Sequence, residues 1–216
     1  MEEREIINQS IDKHLTKSRE VQLLYSYEMM KEGKYSVKPS DKKGDILDHW
    51  DVSVQKIIGH TIDNEAILDG KRILIDVKNN KDSFDESLGA FRCVLLELRN
   101  VRGRKGWLYG KAHGIVFETN DEFLYVRRND LLKIVRNNVS DWDVDKQQII
   151  KGSKVNNWKV TMPYYSAYEL CTRNYFDGKR KDIFVYAPFT DVEPFILHRI
   201  KKTITIEELY EKIGNI

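Results

Sequence analysis

Three ionisable residues have the types and spacing of a cation-binding site. Asp76 and Lys78 lie two positions apart in the segment 72–78, whose apolar residues alternate with them, and Asp51 lies in a second alternating segment, 50–54. Residues two apart in a strand share a face and lie about 7 Å apart, at ~3.3 Å per residue. If the two strands pair, two carboxylates and one ammonium group meet at one point.

The chemistry of such a group is that of metal-assisted hydrolysis. Converging carboxylates suit a hard divalent cation such as Mg²⁺, which takes oxygen ligands and keeps several waters. The cation polarises a phosphodiester and lowers the pKa of bound water, while a nearby ammonium positions that water or neutralises charge developing on the phosphate. The alternative is structural, because acidic and basic residues alternating on a solvated strand face form ordinary cross-strand salt bridges.

The same residues resemble the signature of the PD-(D/E)XK, or restriction-endonuclease-like, nucleases. Asp51 matches the first acidic position, Asp76-Val77-Lys78 matches the D/E-x-K tripeptide, and a helix is predicted upstream. The resemblance covers roughly residues 1–135. It implies an α+β fold (an α/β sandwich), with a mixed sheet flanked by helices, and magnesium-dependent hydrolysis of DNA.

The resemblance also implies the roles of individual residues. Asp51 and Asp76 are the expected metal ligands, Lys78 assists the attacking water, and Glu20 is the candidate for the glutamate that many members carry on the first helix. Glu5 and Glu28 are alternatives to Glu20.

Two features depart from the family pattern. Trp50 stands where the family has proline, and Asp51 and Asp76 are 25 positions apart (76 − 51), which is long for a simple hairpin. Asp48 and Asp63 are therefore alternatives for the first ligand.

A basic segment, 99–111, follows the predicted strands and holds five cations and no acid. Its glycines allow turns or a close approach to phosphate, and its aromatic residues could stack on a base. Cations of this kind contact phosphates and set affinity without reading sequence. The predicted DNA-binding residues are Arg102, Arg104, Lys105, Trp107 and Lys111. The alternative is a hairpin loop with core aromatics, Trp107 and Tyr109 among them, and solvated cations.

Periodicity predicts the elements that must position these residues. Helices are expected at 2–32, as one or two, at Asn129–Val135 with Asn129 or Asp130 as the cap, and at 205–213. Strands are expected at 50–54, 72–78, 93–98, 114–117, 123–126, 158–162 and 183–187, and a loop or irregular extension at 33–44. This order favours an α+β domain over a βαβ array. We expect a nuclease core at 1–138 and a C-terminal extension or small subdomain at 139–216.

Composition excludes several other classes. With 36 basic and 34 acidic residues, the chain has no strong net electrostatic field. Evidence for a nucleic-acid partner must therefore come from local clusters of basic residues. The two distant cysteines favour reduced thiols, and the histidines lack metal-ligand spacing. The N-terminus is acidic and no long apolar segment is present, so we expect a soluble cytoplasmic protein without a signal peptide or membrane span.

These observations together predict a magnesium-dependent endonuclease acting on DNA, with Mn²⁺ as an alternative ion. Cutting both strands of a duplex favours two active sites, and hence a homodimer. The alternatives are a structure-specific or RNA-directed nuclease, and a non-catalytic nucleic-acid-binding protein of the same fold.

Overall fold

The computed structural model describes residues 17–31, 33–40, 51–56, 72–79, 84–85, 90–91, 93–157, 167–173 and 182–214. In chain order, the N-terminal half contains α1 (17–30), β1 (Tyr35–Pro39), β2 (Val52–Lys56), β3 (Arg72–Asn79), β4 (Phe84–Asp85), β5 (Ala90–Phe91), β6 (Cys93–Arg99) and a 3₁₀ helix (Trp107–Tyr109). The remainder contains β7 (Gly114–Glu118), β8 (Glu122–Arg127), α2 (Arg128–Asn138), β9 (Trp142–Asp143), β10 (Gln148–Ile149), β11 (Asn156–Asn157), β12 (Cys171–Thr172), β13 (Ile183–Pro188), α3 (Phe189–Val192), a second 3₁₀ helix (Glu193–Phe195), β14 (Ile196–Lys201) and α4 (Ile206–Gly214).

A six-stranded mixed sheet holds the predicted site residues. Its strand order is β1-β2-β3-β7-β8-β14. Strands β3 and β7 are parallel, and the other neighbours are antiparallel. Parallel neighbours need a crossover connection, and here the chain between β3 and β7 passes through the second sheet.

The second sheet has the order β11-β12-β13-β6. Its longest pairing is the antiparallel one between β6 and β13. Strand β14 follows β13 closely in sequence but pairs with β8 in the six-stranded sheet. The C-terminal region thus adds one long strand to each sheet, as an extension of both. The predicted boundary at residue 138 stays a prediction.

Helices and the second sheet cover the two faces of the six-stranded sheet. On one face, Leu24 of α1 and Leu209 of α4 share a core with Ile75 of β3. On the other face, Ile115 of β7 packs in a core with Leu96 of β6 and with residues of α2 and β13. Because apolar positions of β3 alternate, the side chains of Asp76 and Lys78 point to this second face, between the two sheets.

Most of the predicted elements are confirmed, and so is the α+β class. The strands at 50–54, 72–78, 93–98, 114–117, 123–126 and 183–187 and the helix at 205–213 all occur within one or two residues of their predicted bounds. The predicted strand at 158–162 and the first part of the helix at 2–32 lie outside the described residues.

Two local predictions are wrong. The predicted loop at 33–44 contains β1, in which Tyr35 is buried in the core beneath α1 and pairing with β2 satisfies the backbone. Strand β8 runs directly into α2, so that Arg127 takes the cap position in place of Asn129 or Asp130, with no side-chain capping bond. Arg128 anchors this start instead, because its guanidinium donates to the carbonyl of Ala112 at 2.7 Å.

Candidate active site at the junction of the two sheets

Asp51 and Asp76 are brought together by the pairing of β2 with β3. Val52 lies opposite Ile75 in this antiparallel pair, so Asp51, which directly precedes β2, lies beside Asp76. The backbone N–H of Asp51 donates to the carbonyl of Ile75 at 2.8 Å. The N–H of Val77 donates to Oδ2 of Asp51, also at 2.8 Å. These bonds fix the Asp51 carboxylate against the C-terminal half of β3.

Asp76 is the most buried residue of the group, with 1% of its surface exposed. Its Oδ1 lies 2.7 Å from Nζ of Lys78. The neighbouring Asp51 carboxyl acts electrostatically on that of Asp76. Oδ2 of Asp76 is buried and has no hydrogen-bond partner among the described residues. One oxygen is therefore paired with a cation, and the other is left without a donor.

The surroundings raise the pKa values of both Asp76 and Lys78. Burial raises the pKa of Asp76 well above its ordinary value, Lys78 opposes this shift, and the neighbouring Asp51 adds to it. Burial lowers the pKa of Lys78, but the carboxylates of Asp76 and Asp51 outweigh it, so the net shift is upward from 10.5. Lys78 is therefore an ammonium at neutral pH. Two adjacent carboxylates in a buried place are stabilised by a shared proton or by a bound cation.

The donor set suits a hard cation in part. No group of three or more His, Cys, Asp or Glu residues at metal-binding spacing occurs in the part of the chain that the structure describes. Mg²⁺ is commonly held by one or two carboxylates and keeps several waters. The unpartnered Oδ2 of Asp76 and the adjacent Asp51 carboxylate fit that mode of binding.

Glu97 of β6 was missed by the sequence analysis and lies in the same region. Its Oε2 accepts a hydrogen bond from the backbone N–H of Trp107 at 3.1 Å, and Nζ of Lys78 lies 5.4 Å from the centroid of the Trp107 ring. Burial raises the pKa of Glu97, while Lys78 and the Trp107 N–H oppose this shift. A single acid within the apolar run 93–98 was the signal that could have identified it.

The stacking role expected of Trp107 does not fit the structure. Its ring is 5% exposed and belongs to the core between the sheets, where it meets Phe117 edge to face at a centroid distance of 6.3 Å. Tyr109 packs against the same core, and its hydroxyl accepts a hydrogen bond from Nε1 of Trp142 at 2.7 Å. The ring of Trp107 packs under Lys78 and is not presented to a base.

The predicted cationic contacts are at the surface. Arg102, Arg104 and Lys105 are exposed and belong to a turn, residues 100–105, which we call the basic turn. Lys111 is also exposed, beyond the first 3₁₀ helix. Because the basic turn continues through Gly106 into Trp107, its cations are joined to the Lys78 region by a short stretch of chain.

Glu20 is not brought to this group in the structure. It lies on α1, which packs on the sheet face opposite to Asp76, and its Oε1 is 3.5 Å from the hydroxyl of Tyr210 on α4. The alternative Glu28 is buried in an ion pair with Lys31 at 2.6 Å, which ties it to a structural role.

Four other candidates fall in parts of the chain for which no placement is described. They are the alternatives Glu5, Asp48 and Asp63, together with His49, which adjoins Trp50 in the sequence. His113 is described, and its Nδ1 accepts a hydrogen bond from the backbone N–H of Leu74 at 3.0 Å.

Comparison of the chain with models of known protein families, with curated proteins and with solved structures gave no match. Among the described residues, no helix has the length and apolar character needed to cross a membrane. The geometry of the site is therefore the basis for assigning a function.

Proposed function

We propose that this chain is a magnesium-dependent endonuclease that hydrolyses phosphodiester bonds in DNA. The observation that carries the proposal is the meeting of Asp51 and Asp76 beside Lys78, with one buried oxygen of Asp76 lacking a hydrogen-bond donor. Asp51 and Asp76 would hold the ion. When bound, Mg²⁺ would polarise the phosphate and favour hydroxide formation from a bound water.

Lys78 has a role that follows from its charge state. Because its pKa is raised, it serves as a cation and hydrogen-bond donor at neutral pH and does not act as a general base. The Asp76 carboxylate and the Trp107 ring hold its ammonium group in place. Such a preorganised donor stabilises negative charge that grows on the phosphate in the transition state.

The basic turn supports a polyanionic substrate. Arg102, Arg104 and Lys105 are exposed and close in sequence to Trp107, so a nucleic-acid backbone held by them would pass near Lys78. Two further groups of neighbouring cations in the sequence, in segments 127–128 and 199–202, differ from the basic turn. Arg128 hydrogen-bonds to backbone carbonyls, and Lys202 pairs with Glu118 at 3.1 Å.

A non-catalytic nucleic-acid-binding role is the second candidate. The 2.7 Å contact between Lys78 and Asp76 favours it, because a buried ion pair of this kind also occurs as a purely structural feature. The two functions differ in whether DNA is cut once it is bound.

Cleavage of supercoiled plasmid, measured with Mg²⁺, with Mn²⁺ and with EDTA, tests the proposal. Asp76→Asn keeps the shape of the side chain and removes its charge, and we expect it to slow cleavage by at least about 100-fold, the usual scale for losing one group that stabilises transition-state charge. Asp145→Asn is the matched control, because Asp145 has a side chain that is 81% exposed and pairs with the exposed Arg136 at 2.6 Å.

Equal cleavage by the two variants, or cleavage that survives EDTA, would contradict the assignment. DNA retention without cleavage would favour the non-catalytic role. Parallel reactions with single-stranded RNA and with a branched DNA junction identify the substrate class, and unfolding midpoints of both variants establish that each is folded.

A further inference from the structure

The basic turn is held in one shape by its own backbone and by Asn100. The N–H of Asn100 donates to the carbonyl of Arg104 at 2.8 Å, and the N–H of Gly103 donates to the carbonyl of Asn100 at 2.9 Å. Oδ1 of Asn100 accepts from the N–H groups of Arg102 and Arg104 at 3.0 and 3.1 Å. Asn100 is 5% exposed, so its side chain is held at the base of the turn, and these hydrogen bonds preorganise the turn.

Gly103 makes the tip of the turn narrow. Its φ of +73° lies in the left-handed region, and a methyl group on its Cα would meet no other atom within 4 Å. The open space around Gly103 means that the tip projects into solvent. Arg102 and Arg104 flank the tip directly and are both exposed.

The charge of the turn is entirely positive. Lys105 adds a third exposed cation, and the segment 99–111 contains no acid. Arg99 is held aside, with its guanidinium 5.6 Å from the centroid of the Trp142 ring. A rigid and narrow projection with an arginine on each side complements a narrow groove of negative potential.

We infer that the basic turn inserts Arg102 and Arg104 into the minor groove of duplex DNA, with a preference for A·T-rich sequence. The inference rests on the proposed function in that DNA is the ligand, but it does not require cleavage. The minor groove is about 6 Å wide and too narrow for a helix. A·T tracts narrow it further and strengthen its negative potential, which attracts arginine.

The position of the turn fits a single duplex that reaches both sites. Trp107 lies five positions after Arg102 (107 − 102), a span of at most about 18 Å even in a fully extended chain. That upper limit corresponds to about five base pairs at ~3.4 Å each. The groove contact is thus expected within about five base pairs of the phosphate next to Lys78.

Fluorescence anisotropy without metal tests the inference on the Asp76→Asn protein, in which cleavage is suppressed. The probes are two 20-base-pair duplexes with identical ends, one with an A·T centre and one with a G·C centre, and a duplex RNA of matched length. We expect the A·T duplex to bind about tenfold more tightly than the G·C duplex, about 1.4 kcal/mol. Netropsin, a ligand of the A·T minor groove, should displace the protein. Duplex RNA should bind weakly because its minor groove is wide and shallow.

The decisive variant replaces both arginines by lysine, Arg102→Lys with Arg104→Lys. It keeps the charge, so phosphate contacts persist, but removes the planar guanidinium groups. We expect the A·T preference to disappear while affinity for the G·C duplex changes less than threefold. Arg136→Lys, at an exposed position on α2, is the control and should keep the preference.

Binding without an A·T preference, or a preference that survives the double lysine change, would overturn groove insertion. It would leave the proposed nuclease intact, since cleavage is measured separately. Failure of every duplex to bind would contradict both proposals. Equal unfolding midpoints for the double variant and the Asp76→Asn parent establish that the change affects binding alone.

Discussion

Replacing Lys78 by methionine would leave the Asp76 carboxylate buried without its cation. The Asp76 side chain is 2% exposed and that of Lys78 is 30% exposed. Removing one partner of a fully buried pair costs about 3–5 kcal/mol. Because water reaches part of the ammonium group, we expect about 2–3 kcal/mol of lost stability at pH 7, below that range owing to solvent screening.

The pH dependence of this loss has a defined sign. The pKa of Asp76 is already raised in the folded protein, and loss of the Lys78 ammonium would raise it further. An acid with a raised folded pKa favours the folded state most below its unfolded pKa, near 3.9, and this contribution is lost as the pH rises through the folded value. The cost of Lys78→Met should therefore shrink as the pH falls, and pH 7 and pH 5 are compared to detect this change.

Urea unfolding at both pH values, in the wild-type and Asp76→Asn backgrounds, measures the effect as a double-mutant cycle. In the Asp76→Asn background, the lysine change should cost less than about 1 kcal/mol, since no buried charge remains to be stranded. A cost that is the same in both backgrounds and at both pH values would refute the reasoning. Asp76→Leu would then test whether packing alone determines stability at this position.

Two further predictions concern the stability of the fold. Gly106→Ala should destabilise the fold by about 2 kcal/mol or more, because the new methyl would lie 2.3 Å from the Glu97 carbonyl oxygen, which belongs to the backbone and cannot move away. Gly103→Ala should lower the free energy of unfolding by only about 1 kcal/mol, because the positive φ of Gly103 is the only obstacle to a side chain there. Equal urea midpoints for the two variants would contradict this contrast. Glu28→Gln should lower stability by about 1–3 kcal/mol at pH 7, because buried Glu28 accepts hydrogen bonds from Thr203 and pairs with a lysine. Burial raises the pKa of Glu28, but these contacts outweigh it and lower the pKa overall. The stability that Glu28 contributes is therefore present above the unfolded pKa near 4.3 and is lost as the pH falls through the folded value. A difference in unfolding free energy between variant and wild type that stays constant down to pH 3 would argue against the assignment.

The parts of the site that the sequence could predict are those set by local periodicity. Alternation alone identified β3 and placed Asp76 and Lys78 on the face opposite to Ile73, Ile75 and Val77. It did not predict how deeply Asp76 is buried. The same alternation is also typical of a strand face that is open to solvent, but the second sheet covers this face.

Residues that depend on distant pairing were beyond sequence reasoning. Glu97 meets the Trp107 N–H only because the turn folds back on β6, and Trp107 is buried because the second sheet closes over it. The burial of Tyr35 likewise required knowledge that β2 provides a partner strand. The periodicity of a sequence predicts which residues share a face of a helix or strand, but it does not predict which other element packs on that face.

The C-terminal strands β13 and β14 belong to different sheets, so neither sheet can be completed until the last part of the chain has been synthesised. Strand β6 carries Glu97 but gains its partner only when β13 exists, and β8 gains its outer neighbour only with β14. Once the ribosome has synthesised residues 1–150, every residue discussed at the site has been made. The second sheet still lacks its longest pairing, that of β6 with β13. The sheet that covers Asp76 and Lys78 therefore gains its longest pairing only in the last quarter of synthesis, so the burial of these two residues requires nearly the whole chain.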